Sequence, residues 1–150
     1  LIMKYLDYLY GAYGSNLNLN QMIRRCPNAR PVGSVVVNGM QLAFRGVADV
    51  IHKKDGQVAL GLWKITEACE AQLDIYEGYP RLYGKEFIGV KGLQESFDTK
   101  DVMIYTMNST DIYPPASSYL QSITQGYKDF GLDTDPLYFA VKDSYARESI

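Results

Sequence analysis

The chain has 150 residues, of which 47% are hydrophobic and 21% are charged, and its formal net charge at pH 7 is −2. This length fits one domain with its own core, so we expect a single domain over residues 1–150. The small negative charge without a basic stripe argues against a nucleic-acid partner, and no apolar run is long enough to suggest a membrane span.

The first predicted element is a buried strand over Leu6 to Ala12, followed by the segment Tyr13-Gly14-Ser15-Asn16-Leu17. Gly14 indicates a turn with a φ that most residues avoid. Ser15 and Asn16 add small hydrogen-bonding side chains and backbone N–H groups just before a helical pattern. A strand, a glycine turn and a helix start can hold an anion such as a carboxylate. By itself, however, the segment indicates only a turn.

A short helix is predicted next, with Asn18 or Asn20 as its cap and Pro27 after its end at Arg25. The helix carries basic residues near its end, where cations are usually solvated. We therefore interpret Arg24, Arg25 and Arg30 as a solvated helix end.

Two β-hairpins are predicted in the middle of the chain. Val32–Val37 and Met40–Arg45 flank Asn38-Gly39, the dipeptide that most favours a two-residue hairpin turn. A second turn is expected across Lys53 to Gly56. The strands that this second turn would join are Val47–His52 and Val58–Ile65.

A helix is predicted from about Thr66 to Tyr76, with Thr66 as its cap and with Gly78 and Pro80 ending it. Two further strands follow, and a last helix is predicted from Ser117 to Phe130, closed by Gly131. The strands are Tyr83–Val90 and Val102–Met107. This order of hairpins and helices favours an α+β fold with a mixed, barrel-like sheet.

Glu77 is the most interesting carboxylate of the chain. Cys69, Leu73 and Glu77 are four residues apart, so on a helix they form one stripe that faces the core. A carboxylate there loses water, which raises its pKa and makes it a better base near neutral pH. The alternative is a helix that has frayed by Tyr76 and a solvated Glu77. Spacing alone favours this alternative.

Other acidic residues of this helix are interpreted as surface groups. Asp74 points off the stripe, and Glu67 and Glu70 suit the positive end of the helix dipole in the first turn. Tyrosine is frequent, with 13 copies, and its hydroxyl suits a pocket that needs both shape and hydrogen bonds. Tyr119 lies on the apolar face of the last helix, from which its hydroxyl could reach such a pocket.

Neither a catalytic triad nor a metal site is expected. His52 is the single histidine and stands at the polar end of a predicted strand, with nothing in the spacing that places it near Ser15 or Cys26. Two cysteines, Cys26 and Cys69, form neither a disulfide framework nor a metal pattern. We interpret both as reduced thiols of a cytoplasmic protein. The opening residues, Leu1 to Lys4, do not resemble a signal peptide.

Three separated segments resemble the γ-glutamylcyclotransferase family, including its AIG2-like relatives. The first, Gly11 to Leu17, is similar to the family's Tyr-Gly-Ser-Asn-Leu substrate loop. The second, Leu73 to Gly78, is similar to its Leu-Asp-x-x-Glu-Gly segment and is followed by Tyr83. The third, Pro114 to Tyr119 with Gly126 and Gly131-Leu132, is similar to its final helix. Each motif is weak alone, but the ordered set is specific.

The resemblance implies an α+β fold, a small mixed β-barrel with flanking helices. It also implies an enzyme that converts a γ-glutamyl group to 5-oxoproline and releases the attached amine. It makes Glu77 the general base. The reaction that it implies needs no metal and no cofactor. The expected partner is a small γ-glutamyl substrate, and the protein is expected to be a monomer or a homodimer. Substrate contacts are expected from Tyr13, Gly14, Ser15, Asn16, Leu17, Asn18, Tyr83 and Tyr119.

The resemblance leaves several points open. Asp133 stands where many relatives carry proline, and the sequence after it contains no motif that we can use. The substrate could be a γ-glutamyl amino acid, glutathione, a γ-glutamyl amine or a γ-glutamylated metabolite. A non-catalytic domain that binds a small ligand or a protein on the same fold is the main alternative. A transferase that passes the glutamyl group to another amine is a third.

Overall fold

The structure is a computed structural model that describes residues 3–91 and 99–147, so the first two residues of the opening segment lie outside it. Its strands are β1 (Leu9–Ala12), β2 (Arg30–Arg45), β3 (Val47–Lys64), β4 (Tyr83–Lys91) and β5 (Thr99–Met107). Its helices are α1 (Leu19–Arg25), α2 (Glu67–Glu77), α3 (Ser117–Asp129) and α4 (Asp135–Ala146), with a 3-10 helix at Ser15–Leu17.

Within these residues the strands form one sheet in the order β2-β3-β1-β5-β4. β1 is parallel to β5 and antiparallel to β3, while the β2–β3 and β4–β5 pairs are antiparallel. The predicted α+β class and mixed sheet are therefore confirmed. The sheet does not close into the expected barrel, because among the described strands β3 is the only partner of β2 and β5 is the only partner of β4.

β2 and β3 form one long hairpin that turns at Gly46, so both predicted hairpins are wrong. Asn38-Gly39 lies inside β2 as a bulge, with Gly39 at a φ of +87°, and Lys53 to Gly56 interrupt β3 opposite it. The strand segments themselves are correct, but Val35 pairs with Leu60 rather than with a residue after Gly39. Pairing of β3 with both β2 and β1 buries most of its apolar side chains, among them Leu60, Leu62 and Trp63, which outweighs a local turn preference.

Helix α2 begins and ends as the sequence predicts. The Thr66 hydroxyl accepts a hydrogen bond from the Cys69 backbone N–H at 3.1 Å, and Gly78 ends the helix in the left-handed conformation with a φ of +65°. Cys69 and Leu73 are buried. The helix includes Glu77 as its last residue, so the alternative of an end frayed at Tyr76 is wrong.

Helix α3 lies directly against the turn that follows β1. A Cβ atom on Gly126 would stand 2.5 Å from the Leu17 Cβ and 2.7 Å from the Asn18 nitrogen, so only glycine permits this approach. Asn18 caps α1 by accepting from the Gln21 N–H at 3.1 Å, and its amide donates to the Ser122 carbonyl at 3.2 Å. We call Gly14 and the 3-10 helix Ser15–Leu17 the Gly14 turn.

The last helix, α4, was not predicted from the sequence. It packs against β2 and buries Leu137, Ala140 and Ser144. Its start carries a signal, because Pro136 lies in the first turn, where a missing N–H costs nothing. No helix among the described residues is long and apolar enough to cross a membrane.

Candidate active site

A pocket of about 260 Å³ lies beside the Gly14 turn, where the middle strands of the sheet meet the end of α2 and the start of α3. Its walls come from β1, the Gly14 turn, β3, α2, β4, β5 and α3. The wall is rich in aromatic hydroxyls, a property that the tyrosine content had suggested. Six tyrosines line the pocket: Tyr10, Tyr13, Tyr76, Tyr83, Tyr105 and Tyr119.

Glu77 is the acidic residue of the pocket wall and is partly buried. Loss of water raises the pKa of its carboxyl group from 4.5 to about 7, and the nearby Arg25 guanidinium acts in the opposite direction. Within the described residues, the carboxylate forms neither a hydrogen bond nor an ion pair. Near neutral pH it is therefore partly ionised and free to accept a proton from a bound molecule.

The Gly14 turn forms a second wall of the same pocket. The N–H groups of Leu17 and Asn18 donate to the carbonyls of Gly14 and Ser15, each at 3.0 Å. The preceding N–H groups, those of Ser15 and Asn16, are not used by these hydrogen bonds. Donors of this kind at the start of a helical turn can bind a carboxylate or a developing oxyanion.

Gly14 is a glycine for a different reason from the one predicted. Its φ is −119°, a value that other residues adopt, so the expectation of an unusual φ is wrong. A Cβ atom here would lie 3.1 Å from the Ala48 Cβ and 3.3 Å from the Tyr119 hydroxyl. Gly14 therefore allows the turn to approach β3 and α3 closely.

Two tyrosines of the pocket are anchored to one residue of β3. The Ala48 N–H donates to the Tyr119 hydroxyl at 2.9 Å, and the Tyr83 hydroxyl donates to the Ala48 carbonyl at 2.8 Å. Since the Tyr119 oxygen accepts from Ala48, its own hydrogen remains available for a bound molecule. Burial raises the pKa of both tyrosines well above their ordinary value, so both hydroxyls keep their protons.

Asp74 and Glu70 belong to a network behind the pocket, which corrects their interpretation as solvated surface groups. The Tyr105 hydroxyl donates to Asp74 at 2.6 Å, and Lys85 pairs with Asp74 at 2.9 Å and with Glu70 at 2.6 Å. Glu70 also accepts from the Tyr8 hydroxyl. These contacts fasten α2, which carries Glu77, to β4 and β5.

Arg25 is also more than a solvated helix end. Its guanidinium donates to the Asn16 side-chain oxygen and lies 3.5 Å from the centre of the Tyr76 ring. The Tyr76 hydroxyl in turn lies 3.2 Å from the Ser15 hydroxyl. Sequence reasoning missed this role because no local pattern connects residue 25 with the two walls. Arg24, its neighbour, is exposed, as expected.

The structure brings most of the predicted site residues together at this pocket. Leu17 and Asn18 do not line it, because Leu17 is fully buried in the core and Asn18 caps α1. The sequence did not indicate several other residues of the wall, among them Tyr10, Tyr76, Tyr105, Val47 and Ala48. The predicted residues on the wall are Tyr13, Gly14, Ser15, Asn16, Glu77, Tyr83 and Tyr119.

The remaining candidates lie elsewhere. His52 is exposed and pairs with Glu86 at 2.8 Å. Cys26 and Cys69 are buried free thiols, and burial raises the pKa of Cys26 to about 12, which makes it a poor nucleophile. Across residues 3–91 and 99–147, no three potential metal ligands of the histidine, cysteine or carboxylate type are grouped.

Comparisons with known proteins agree with this architecture. Residues 10–127 match the family model described as gamma-glutamyl cyclotransferase, AIG2-like. A solved structure of a gamma-glutamyl cyclotransferase superposes with a TM-score of 0.75 at 24% identity, covering 95% of this chain and 89% of that one. An uncharacterized protein from Homo sapiens gives 0.74 at 24%, with the same coverage.

A third solved structure, YkqA from Bacillus subtilis, gives a TM-score of 0.73 at 20% identity and covers 95% of this chain and 56% of that one. At such identities these likenesses concern the fold. No curated protein sequence matches the chain.

Proposed function

The chain belongs to the gamma-glutamyl cyclotransferase, AIG2-like family, and from this premise we propose that it cyclises a γ-glutamyl group to 5-oxoproline and releases the attached amine. The observation that carries the proposal is Glu77. It is a carboxylate with a pKa of about 7 and with no hydrogen-bond or ion-pair partner in the described part of the chain, and it lines the same pocket as the Gly14 turn. A domain that only binds a ligand has no need for such a base.

In the proposed reaction Glu77 takes a proton from the α-ammonium group of the substrate. The freed amine attacks the γ-carbonyl carbon of the same glutamyl group, and a five-membered lactam forms as the amide C–N bond breaks. Glu77 then returns its proton to the leaving amine, and the ring nitrogen, which became positively charged on attack, loses its second proton to solvent. Because nucleophile and electrophile belong to one molecule, the protein mainly has to fold the substrate and assist these proton transfers.

The Gly14 turn supplies the complementary part of the proposed mechanism. The N–H groups of Ser15 and Asn16 would bind the α-carboxylate or stabilise the negative charge that develops on the carbonyl oxygen. Tyr119 would donate its free hydroxyl hydrogen to the substrate, while Tyr83, whose hydroxyl is bound to Ala48, would shape the wall. A volume of about 260 Å³ suits a small group of this kind.

The direct test is to incubate the protein with a panel of γ-glutamyl compounds and to measure 5-oxoproline by mass spectrometry. The panel contains γ-glutamyl amino acids, glutathione and γ-glutamyl amines, because the leaving group is open. We expect Glu77→Gln to remove turnover and Glu67→Gln, an exposed carboxylate of the same helix, to keep it. Full activity of the Glu77 variant would show that another group is the base.

The two alternatives give different outcomes in the same assay. A non-catalytic domain would show a thermal shift with γ-glutamyl ligands and no product from any of them. A transferase would form a new amide when a second amine is present. We further propose a cytoplasmic location, which the buried free thiols of Cys26 and Cys69 support. Whether the protein is a monomer or a homodimer stays a prediction.

A further inference from the structure

Arg25 contacts both walls of the pocket without belonging to either. It is the last residue of α1, and its guanidinium donates to the Asn16 side chain of the Gly14 turn while stacking on Tyr76 of α2. A second nitrogen donates to Gln21 at 3.2 Å. Tyr76 immediately precedes Glu77, so the stacked ring and the base share one turn of helix.

The charge of Arg25 is not neutralised by a carboxylate. Its contacts within the described residues are the two amide oxygens and the aromatic ring, and none of these carries a negative charge. A half-buried guanidinium stacked on a ring interacts with its surroundings more strongly than a solvated one. Burial raises the pKa of Glu77, of Tyr10 and of Tyr119, and the positive charge of Arg25 opposes this rise at all three groups.

We propose that Arg25 is a positioning residue of this pocket, which joins the Gly14 turn to the end of α2 and places a positive charge beside Glu77. The inference deepens the proposed function and rests on it for its catalytic consequence. The role of Arg25 in joining the Gly14 turn to α2 can be tested without measuring turnover. The other ionisable side chains that line the pocket among the described residues are six tyrosines: Tyr10, Tyr13, Tyr76, Tyr83, Tyr105 and Tyr119.

The first test measures the ionisation of Glu77 directly. The side-chain carboxyl carbon is followed by NMR as a function of pH in the unchanged protein, in Arg25→Met and in Arg24→Met. Methionine keeps an unbranched stem without the charge, and Arg24 is an exposed cation one residue away. We expect the Glu77 pKa to rise in Arg25→Met and to stay unchanged in Arg24→Met. Equal values in all three proteins would overturn the electrostatic part.

The second test measures whether Arg25 holds the turn. The N–H groups of Leu17 and Asn18 close the Gly14 turn, so their hydrogen exchange reports on its opening. We expect faster exchange of these two amides in Arg25→Met and in Arg25→Lys, since lysine lacks the planar fork and stacks poorly, and unchanged exchange in Arg24→Met. Unchanged exchange in both Arg25 variants would overturn the positioning role.

A third test measures how the charge of Arg25 and its hold on the Gly14 turn affect catalysis. We expect Arg25→Lys, which keeps the charge, to retain the pH dependence of kcat/KM and to lose roughly tenfold in its plateau value through misalignment. Arg25→Met should lose activity and shift the rising limb to higher pH. If the unchanged protein forms no 5-oxoproline, the proposed function fails, while the NMR and exchange results still decide the role of Arg25.

Discussion

Tyr119 and Ala48 are joined by a hydrogen bond of 2.9 Å in which the backbone N–H of β3 donates to the hydroxyl of an α3 side chain. The contact fixes the tyrosine ring at the pocket and leaves its hydroxyl hydrogen unused. On the other side of the same residue, the Ala48 carbonyl accepts from Tyr83. The buried residue Ala48 therefore fixes two tyrosine rings at the pocket. The Tyr119 hydroxyl can still donate its hydrogen to a bound molecule, whereas the Tyr83 hydroxyl already donates to Ala48.

Removing each hydroxyl in turn separates these roles. We expect Tyr119→Phe and Tyr83→Phe each to lower the free energy of unfolding by about 1 kcal/mol, because each leaves a backbone group of buried Ala48 unpaired. Only Tyr119→Phe should also raise KM, by about tenfold, since only Tyr119 can donate to the substrate. Chemical denaturation and steady-state kinetics measure the two effects. A larger rise of KM in Tyr83→Phe would reverse the assignment.

The pH dependence of turnover should report on Glu77. A general base works in its ionised form, so kcat/KM rises with pH and levels off above the pKa of the group in the free enzyme. With a Glu77 pKa of about 7, we expect the midpoint of the rise near pH 7. Initial rates at low substrate concentration between pH 5 and 9 test this. A profile that is flat over this range contradicts the assignment of Glu77.

The ionised form of Glu77 should lower the free energy of unfolding of the protein. Its pKa is raised from 4.5 in the unfolded chain to about 7 in the fold, so the folded state binds more protons between these values and stability falls as pH rises through them. We expect Glu77→Gln to stabilise the protein by of order 2 kcal/mol at pH 8. The gain should shrink towards pH 5. Thermal unfolding at both pH values, with Glu67→Gln as control, measures it.

The close approach at Gly14 predicts a sharp effect of a single methyl group. A Cβ there would press against Ala48 and the Tyr119 hydroxyl, so we expect Gly14→Ala to cost about 1 to 3 kcal/mol of stability and most of the activity. Gly84→Ala is the matched control, because its Cβ would come no closer than 3.6 Å to its neighbours. If both variants behave alike, crowding at Gly14 is not the cause.

Local sequence patterns predicted the positions of helices and strands better than they predicted which strands pair with each other. Thr66 and Gly78 delimit α2 as predicted, since caps and left-handed glycines act within a few residues. Asn38-Gly39 forms a bulge instead of the predicted turn, because its turn preference is small beside the burial of the whole β2–β3 hairpin. The hairpin that turns at Gly46 pairs residues as far apart as Arg30 and Lys64, and no short window of sequence contains that register.

The residues of the candidate site that lie within short sequence motifs could be predicted from the sequence. Glu77 continues a buried stripe and the Gly14 turn follows a strand, but spacing alone favoured a solvated Glu77 and indicated only a turn at Gly14. The resemblance to the family selected both as site residues. Arg25 and Tyr105 could not be found in this way. Arg25 contacts the pocket wall through Asn16, nine residues away, and Tyr105 lines the pocket from β5 while its hydroxyl bonds Asp74, 31 residues away. Contacts of this kind exist only after the sheet and helices have assembled.

The hydrogen-bonded tyrosines and the Gly126 contact have a consequence for inactivation. The pocket draws its walls from Tyr10 to Tyr119, and Gly126 presses its helix onto the turn without an intervening side chain. Unfolding of the core would separate these walls from one another. Heat inactivation should therefore coincide with global unfolding, and the fluorescence of the fully buried Trp63 should record the temperature at which activity is lost.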